Sequence, residues 1–318
     1  MRSRVCMFFA LCIIVSLCGC TGFKKSLFDS GISLERKLSK LEQKTVQVGK
    51  LSVPYLERPG SGETIVMLHG ITADKDNWVR FARYIPKEYR IIAVDLPGHG
   101  DNVRDFQTTY TIEYITEGFA DTVKALGLDR FHLVGNSMGG YVSTIYSSDN
   151  PGKVLSLCLI DPAGAKSPQL SDRELALTRG VNTLIPKTKA EFDELLAYGF
   201  HKQPFMPWPA RSVLAEKYIE RSEFNQKLWN DVWDNRVDVE SYFGNITMPV
   251  LLLWGDKDRI IHVSTVSVFE KGIPQTKTVI FRDCGHMPML EIPKESALIY
   301  TSFLQGTFKD PKSDSKTH

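Results

Sequence analysis

Leu133-Val134-Gly135-Asn136-Ser137-Met138-Gly139-Gly140 is the stretch whose reading decides the fold. The apolar run Phe131 to Val134 predicts a buried strand. The pentapeptide Gly135 to Gly139, of the form Gly-x-Ser-x-Gly, then turns the chain into a helix expected from near Tyr141. Such a turn lifts a serine above the carboxyl edge of a sheet, and it needs small neighbours because backbones crowd there. A lone serine hydroxyl is a weak nucleophile, so this reading requires a base and an orienting acid elsewhere in the chain.

Outward from that stretch the pattern is strand, loop, helix, repeated. Thr64 to Leu68 is an apolar strand running into His69-Gly70, and Arg90 to Val94 is another, ending in Asp95-Leu96-Pro97-Gly98-His99-Gly100. Helices are predicted over roughly Asn77 to Ile85 and Ile112 to Leu126, the second closed by Gly127. Val154 to Ile160 is a strand ending in Asp161-Pro162-Ala163-Gly164. Continuous apolar strands alternating with helices predict a parallel sheet covered on both faces. Val46 to Glu57 alternates around Gly49-Lys50 as a hairpin.

The alternation breaks over residues 166–245. Helical stretches (Arg173 to Leu184, Lys189 to Tyr198, Val213 to Arg221) carry no core strand between them. They predict a helical cap inserted into a core made of residues 46–165 and 246–306. Phe200, Phe205, Met206 and Trp208 in the cap either line an acyl entrance or pack the cap on the core. The strand pattern resumes at Val250 to Trp254 and Lys277 to Phe281, with helices near Val263 to Lys271 and Pro293 to Leu304. Residues 307–318 read as a solvated tail.

The amino terminus differs in kind. Arg2 and Arg4 precede an apolar run, Val5 to Leu17, too short for a comfortable membrane span. Leu17-Cys18-Gly19-Cys20 follows and resembles a bacterial lipobox. That resemblance implies a signal peptide over residues 1–19, a diacylated Cys20 with an acylated amine, and an outer-membrane location, since Thr21 rather than Asp comes next. Residues 20–45 form the anchor segment. Within them Leu27, Leu34 and Leu41 recur at sevenfold spacing, which predicts an amphipathic helix over residues 24–44, lying on the membrane or on the protein. Two or more acyl chains anchor stably where one does not.

Composition excludes other classes. The 318 residues are 42% hydrophobic with a formal net charge of +2. Loss of residues 1–19 removes Arg2 and Arg4 and no acid, bringing the charge to zero. No nucleic-acid footprint is present. Of six cysteines only Cys158 and Cys284 lie beyond residue 20, so there is no disulfide framework. No pair among the seven histidines has metal-ligand spacing on a helical pattern, and neither metal nor cofactor is expected.

Two late strands end in the residues a serine nucleophile requires. Trp254-Gly255-Asp256-Lys257-Asp258 follows one and Cys284-Gly285-His286 follows the other. Asp161, at the end of the strand before them, is a second candidate acid. Gly-Asn-Ser-Met-Gly-Gly, Asp-Leu-Pro-Gly-His-Gly, Trp-Gly-x-x-Asp and Cys-Gly-His, in this order, resemble the α/β-hydrolase superfamily over nearly all the chain after the signal. The resemblance implies an α/β-hydrolase fold with a mostly parallel eight-stranded sheet and a helical cap. It also implies Ser137 as nucleophile, His286 as general base and Asp258 as the orienting acid. The oxyanion hole would be the backbone N–H groups of Ile71 and Met138, and His69 and His99 would be structural. Leu157 to Gly164 and the helical insert resemble the membrane-associated monoacylglycerol lipases. The expected activity is hydrolysis of a lipid carboxylic ester, monoacylglycerol first. Carbon–carbon bond hydrolases and perhydrolases share these motifs, and a non-catalytic envelope lipoprotein is the alternative from another class.

Overall fold

Each of the five central strands buries both of its faces, and that is why those strands are almost continuously apolar. The computed structural model describes residues 22–308, so the signal segment, Cys20 and residues 309–318 lie outside the described part. One sheet holds β1 (Glu42–Val48), β2 (Leu51–Arg58), β3 (Thr64–Leu68), β4 (Arg90–Val94), β5 (Phe131–Asn136), β6 (Val154–Ile160), β7 (Val250–Gly255) and β8 (Thr276–Phe281). Their order is β1-β2-β4-β3-β5-β6-β7-β8. The β1–β2 and β2–β4 pairings are antiparallel, and all others are parallel.

Helices α1 (residues 22–38), α2 (Val79–Ala82), α3 (Ile112–Ala125) and α4 (Met138–Asp149) belong to the first half. Between β6 and β7 come α5 (Asp172–Thr178), α6 (Lys189–Gly199), α7 (Ala210–Glu220) and α8 (Ser222–Asp234), and then a 3-10 segment, Val239–Asn245. The chain closes with α9 (Val266–Gly272), α10 (Pro288–Glu291) and α11 (Pro293–Leu304).

Strand period sends alternate residues to opposite sides. Ile65, Met67, Cys158, Ile160, Leu251 and Leu253 pack with Phe81 of α2 and Tyr300 of α11. Val66, Leu68, Leu157, Leu159 and Leu252 pack with Phe119 of α3, Val142 and Ile145 of α4 and Phe269 of α9. Fully burying such a side chain stabilises by about 1.5–3 kcal/mol. A third cluster, Phe192, Leu196, Phe200 and Ala215, holds α6 and α7 together and meets Met287 and Leu290 beside the sheet edge.

Several element ends differ from expectation, each for a local reason. Helix α4 starts at Met138 rather than near Tyr141, because Ser137 itself takes the turn conformation (φ 54°). The helix expected from Arg173 to Leu184 stops at Thr178, with Gly180 at φ 79° just beyond. The segment expected to be helical over Asn77 to Ile85 is a 3-10 turn, Lys75–Trp78, and the short α2, ahead of Pro86. Helix α1 covers residues 22–38 rather than 24–44. Lys40 turns the chain at φ 57°, and Glu42–Val48 pairs with β2, so the sheet begins ahead of the expected core boundary at residue 46.

Candidate active site

Strand β5 lies at the middle of the sheet, between β3 and β6, and delivers Ser137 to its carboxyl edge. Ser137 holds φ 54° and ψ −120°, an uncommon conformation for a residue with a Cβ. Surrounding contacts enforce it. Ser137 N–H donates to Ile160 O at 3.1 Å, and Ala163 N–H donates to Ser137 O at 2.9 Å. A Cβ on Gly135 would sit 2.3 Å from Gly139 O, and one on Gly139 would sit 2.2 Å from Leu68 O. The flanking glycines are therefore required by contact between β3, β5 and α4.

Asp258 and His286 leave the ends of β7 and β8, the neighbouring parallel strands. His286 Nδ1 lies 2.7 Å from Asp258 Oδ2. The other oxygen, Oδ1, accepts from Ile260 N–H at 2.7 Å and Ile261 N–H at 3.0 Å. Both oxygens are thus committed, and both residues are buried. That fixes the imidazole ring and leaves Nε2 as its unused nitrogen. The ring and Ser137 line one cavity of about 530 Å³.

Asp161 lies close by. One ligating atom each from Asp161, Asp258 and His286 falls within 4.8 Å of the others, and among the described residues this is the sole cluster of metal-binding residue types. Within it His286 Nδ1 and Asp258 Oδ2 are spent on one another. Asp161 Oδ1 accepts from Gly255 N–H at 3.0 Å, and its Oδ2 is buried without a partner among the described residues. Burial first, and the neighbouring Asp258 second, raise the Asp161 pKa well above the usual carboxyl range. Of the two acids the sequence left open, His286 is bonded to Asp258.

The two expected backbone donors, Ile71 and Met138, both lie beside Ser137. Met138 is the first residue of α4, where N–H groups have no intrahelical acceptor. Gly70 abuts the serine, since a Cβ added there would lie 3.1 Å from Ser137 Cβ. This brings the Gly70–Ile71 peptide to the nucleophile, and Ile71 lines the cavity. His69 shapes this loop from beneath. Its Nδ1–H donates to Gly70 O at 2.8 Å and its Nε2 accepts from Leu96 N–H at 3.1 Å, which describes a buried neutral ring. Burial lowers its pKa, and burial lowers that of His99 to about 3.

Other side chains tie the site together. Asn136 Nδ2 donates to Ile160 O (3.0 Å) and His286 O (3.2 Å), joining the serine strand to the histidine loop. Glu291 accepts from the N–H groups of Gly285, His201 and Lys202 at 3.0, 3.1 and 2.6 Å. His286 N–H donates to Gly199 O at 3.0 Å. The histidine loop and the inserted helices are therefore one bonded unit. Leu196, Phe200, Met206, Leu214 and Leu290 give the cavity an apolar wall. Phe205 and Trp208 are exposed (80% and 66%), so of the four aromatic and methionine candidates only Phe200 and Met206 reach it.

Helix α1 completes the cavity mouth, a role its heptad pattern did not reveal. Phe28, Ile32, Glu35 and Arg36 line it, and Arg36 bonds both oxygens of Asp76 at 2.6 Å. Glu35 is held by Arg80 and Arg83. Phe23, Leu27, Leu34 and Leu38 point outward, exposed.

Comparison with known proteins fits this geometry. The α/β hydrolase fold family model matches residues 63–293. The chain belongs to the α/β-hydrolase family. Within the family, it is 32% identical to Lipase 1 of Psychrobacter immobilis, over 94% of this chain and 96% of that one. It is 31% identical to the monoacylglycerol lipase ABHD6 of Homo sapiens, over 78% of this chain and 77% of that one. Among solved structures, a membrane phospholipase A described as a bacterial virulence factor is 37% identical. It superposes with a TM-score of 0.89, covering 96% of this chain and 99% of that one.

Proposed function

We propose that this α/β-hydrolase cleaves carboxylic esters of lipids through an acyl-enzyme, with a monoacylglycerol as the first substrate. The observation that carries the reading is the 2.7 Å Asp258–His286 bond at the wall of a largely apolar cavity that also holds Ser137 on its strained turn. In this mechanism Ser137 Oγ attacks the ester carbonyl and His286 Nε2 takes its proton. Asp258 holds the Nδ1–H tautomer and stabilises the imidazolium. The N–H groups of Ile71 and Met138 receive the developing oxyanion. His286 returns the proton to the departing alcohol, and the same steps with water release the fatty acid. The names of the relatives support a lipid ester over other acyl compounds.

The same reading places the enzyme at a membrane surface, lipid-anchored through Cys20 and facing the outer membrane. Cys20 lies outside the described residues, and among those described no helix is long and apolar enough to cross a membrane. Support comes from α1, whose outward stripe Phe23, Leu27, Leu34 and Leu38 begins directly after the lipobox-like tetrapeptide.

A fluorophosphonate probe tests the chemistry. Labelling of the wild type but not of Ser137→Ala, with parallel loss of monoacylglycerol turnover, is expected. Retained turnover in Ser137→Ala overturns it. Metabolic labelling with a fatty acid, lost in Cys20→Ser, checks the anchor.

A further inference from the structure

Most of the charged side chains lining the cavity are held in ion pairs; among the described residues Asp29 of α1 and Arg221 are not. Arg36 is paired with Asp76 at 2.6 Å, Lys217 with Asp74 at 3.1 Å and Arg80 with Glu35 at 3.4 Å. Behind them the buried Lys75 bridges Asp95 and Asp101. Arg221, where α7 meets α8, also lines the cavity, and it has no carboxylate partner among the described residues. One turn further on, Asn225 lines the same wall. It is only 5% exposed. Arg104, close enough to feel the charge of Arg221, spends its Nη1 on Gly100 O at 2.8 Å. Burial first and Arg221 second lower the Arg104 pKa.

A partly buried guanidinium without an anion and a second guanidinium beside it are both unfavourable in an empty site. One bound anion relieves both. The same cavity also has an apolar wall, through Leu184, Phe192, Leu196, Leu214, Met287 and Leu290. A ligand that satisfies both walls carries an acyl chain on one side of the ester and an anionic oxygen group on the other. A guanidinium fork with an adjacent amide fits the unesterified oxygens of a phosphate.

Building on the hydrolase reading above, we propose that Arg221 and Asn225 form a headgroup subsite for the phosphate of a glycerophospholipid bearing an acyl chain. The subsite discriminates between lipid esters and takes no part in bond cleavage. Neutral monoacylglycerols enter the same cavity without engaging it.

The test separates recognition from chemistry. Octyl phosphate, octanol and inorganic phosphate are titrated into Ser137→Ala protein with and without Arg221→Gln. Octyl phosphate is expected to bind about tenfold more tightly than octanol, and Arg221→Gln is expected to erase that difference. Equal binding of octyl phosphate and octanol to the Arg221 protein overturns the subsite. Inorganic phosphate binding as tightly as octyl phosphate overturns its assignment to a lipid headgroup. In the second arm, octanoyl lysophosphatidylglycerol and monooctanoylglycerol are compared as substrates. Arg221→Gln and Asn225→Leu are expected to lower kcat/KM about tenfold for the phospholipid only, with Arg221→Lys intermediate. Equal loss on both substrates overturns the proposal in favour of a packing role. Turnover of neither substrate by the wild type sinks the hydrolase reading while the binding arm still decides the subsite.

Discussion

Asp161 and Asp258 hang from the ends of the adjacent parallel strands β6 and β7, and only Asp258 is bonded to His286. Two carboxyls buried this close do not both ionise at neutral pH. Asp258 is the one with a full set of donors, because two N–H groups and the imidazole face it. Asp161 has a single N–H donor, from Gly255, and keeps its proton.

This division separates two substitutions of the same type. Asp258→Asn presents an amide where the imidazole needs an acceptor and is expected to cut kcat by about 10⁴, as loss of the acid does in other triads. Asp161→Asn leaves a neutral side chain neutral and is expected to hold kcat within about threefold. Steady-state kinetics of the two variants decides it. A collapse in Asp161→Asn comparable to that in Asp258→Asn would show Asp161 working as a charged acid.

Asp161 also predicts a pH signature in stability. Its folded pKa is raised, so the unfolded chain releases a proton that the folded one keeps. The stability it contributes is present below the unfolded carboxyl pKa, about 3.9, and is lost as pH rises towards the folded value. At pH 7 its burial is therefore a cost. Asp161→Asn is expected to raise Tm at neutral pH, with the gain fading below about pH 4. Thermal melts at the two pH values check the sign.

Ser137 stores backbone strain at the proposed nucleophile. A non-glycine residue at φ 54° and ψ −120° costs on the order of 1–3 kcal/mol. Ser137→Gly is expected to raise Tm while abolishing activity. Gly139→Ala is expected to lower stability by more than about 3 kcal/mol, because its methyl would meet Leu68 O at 2.2 Å. Denaturant unfolding of both variants measures the contrast. A Gly139→Ala protein of wild-type stability would show that β3 and α4 are not in fixed contact.

The parts of this molecule that were legible in sequence are those set by local chemistry at a strand end. Ser137, Asp258 and His286 each follow an apolar strand and a glycine-bearing turn, so their order and their sheet edge could be read directly. The cavity mouth could not. Phe28, Ile32 and Arg36 reach it only because α1 docks on Asp76 and Val79, a contact across some forty residues of sequence. Heptad spacing instead drew attention to Leu27 and Leu34, which face outward, and to Leu41, which is buried after the helix has ended. Glu291 and Arg221 were silent for the same reason. Their partners, or lack of them, exist only once distant loops meet.

Glu291 is the test of that non-local construction. Its carboxylate accepts from Gly285 beside the proposed base and from His201 and Lys202 of the inserted segment. Removing it leaves three N–H groups to find new acceptors and frees the loop that sets the His286 ring. A displacement of about 1 Å at a reacting group is enough to cost roughly a hundredfold. Glu291→Ala is expected to lower kcat ten- to a hundredfold. Glu291→Gln, which keeps one acceptor oxygen, should recover part of the loss. The Tm of both variants should stay within a few degrees of wild type, because the bonds lie on a surface loop and outside the two main clusters. If kcat in Glu291→Ala is unchanged while KM for a long-chain ester rises, Glu291 positions the cap and leaves the histidine where it was.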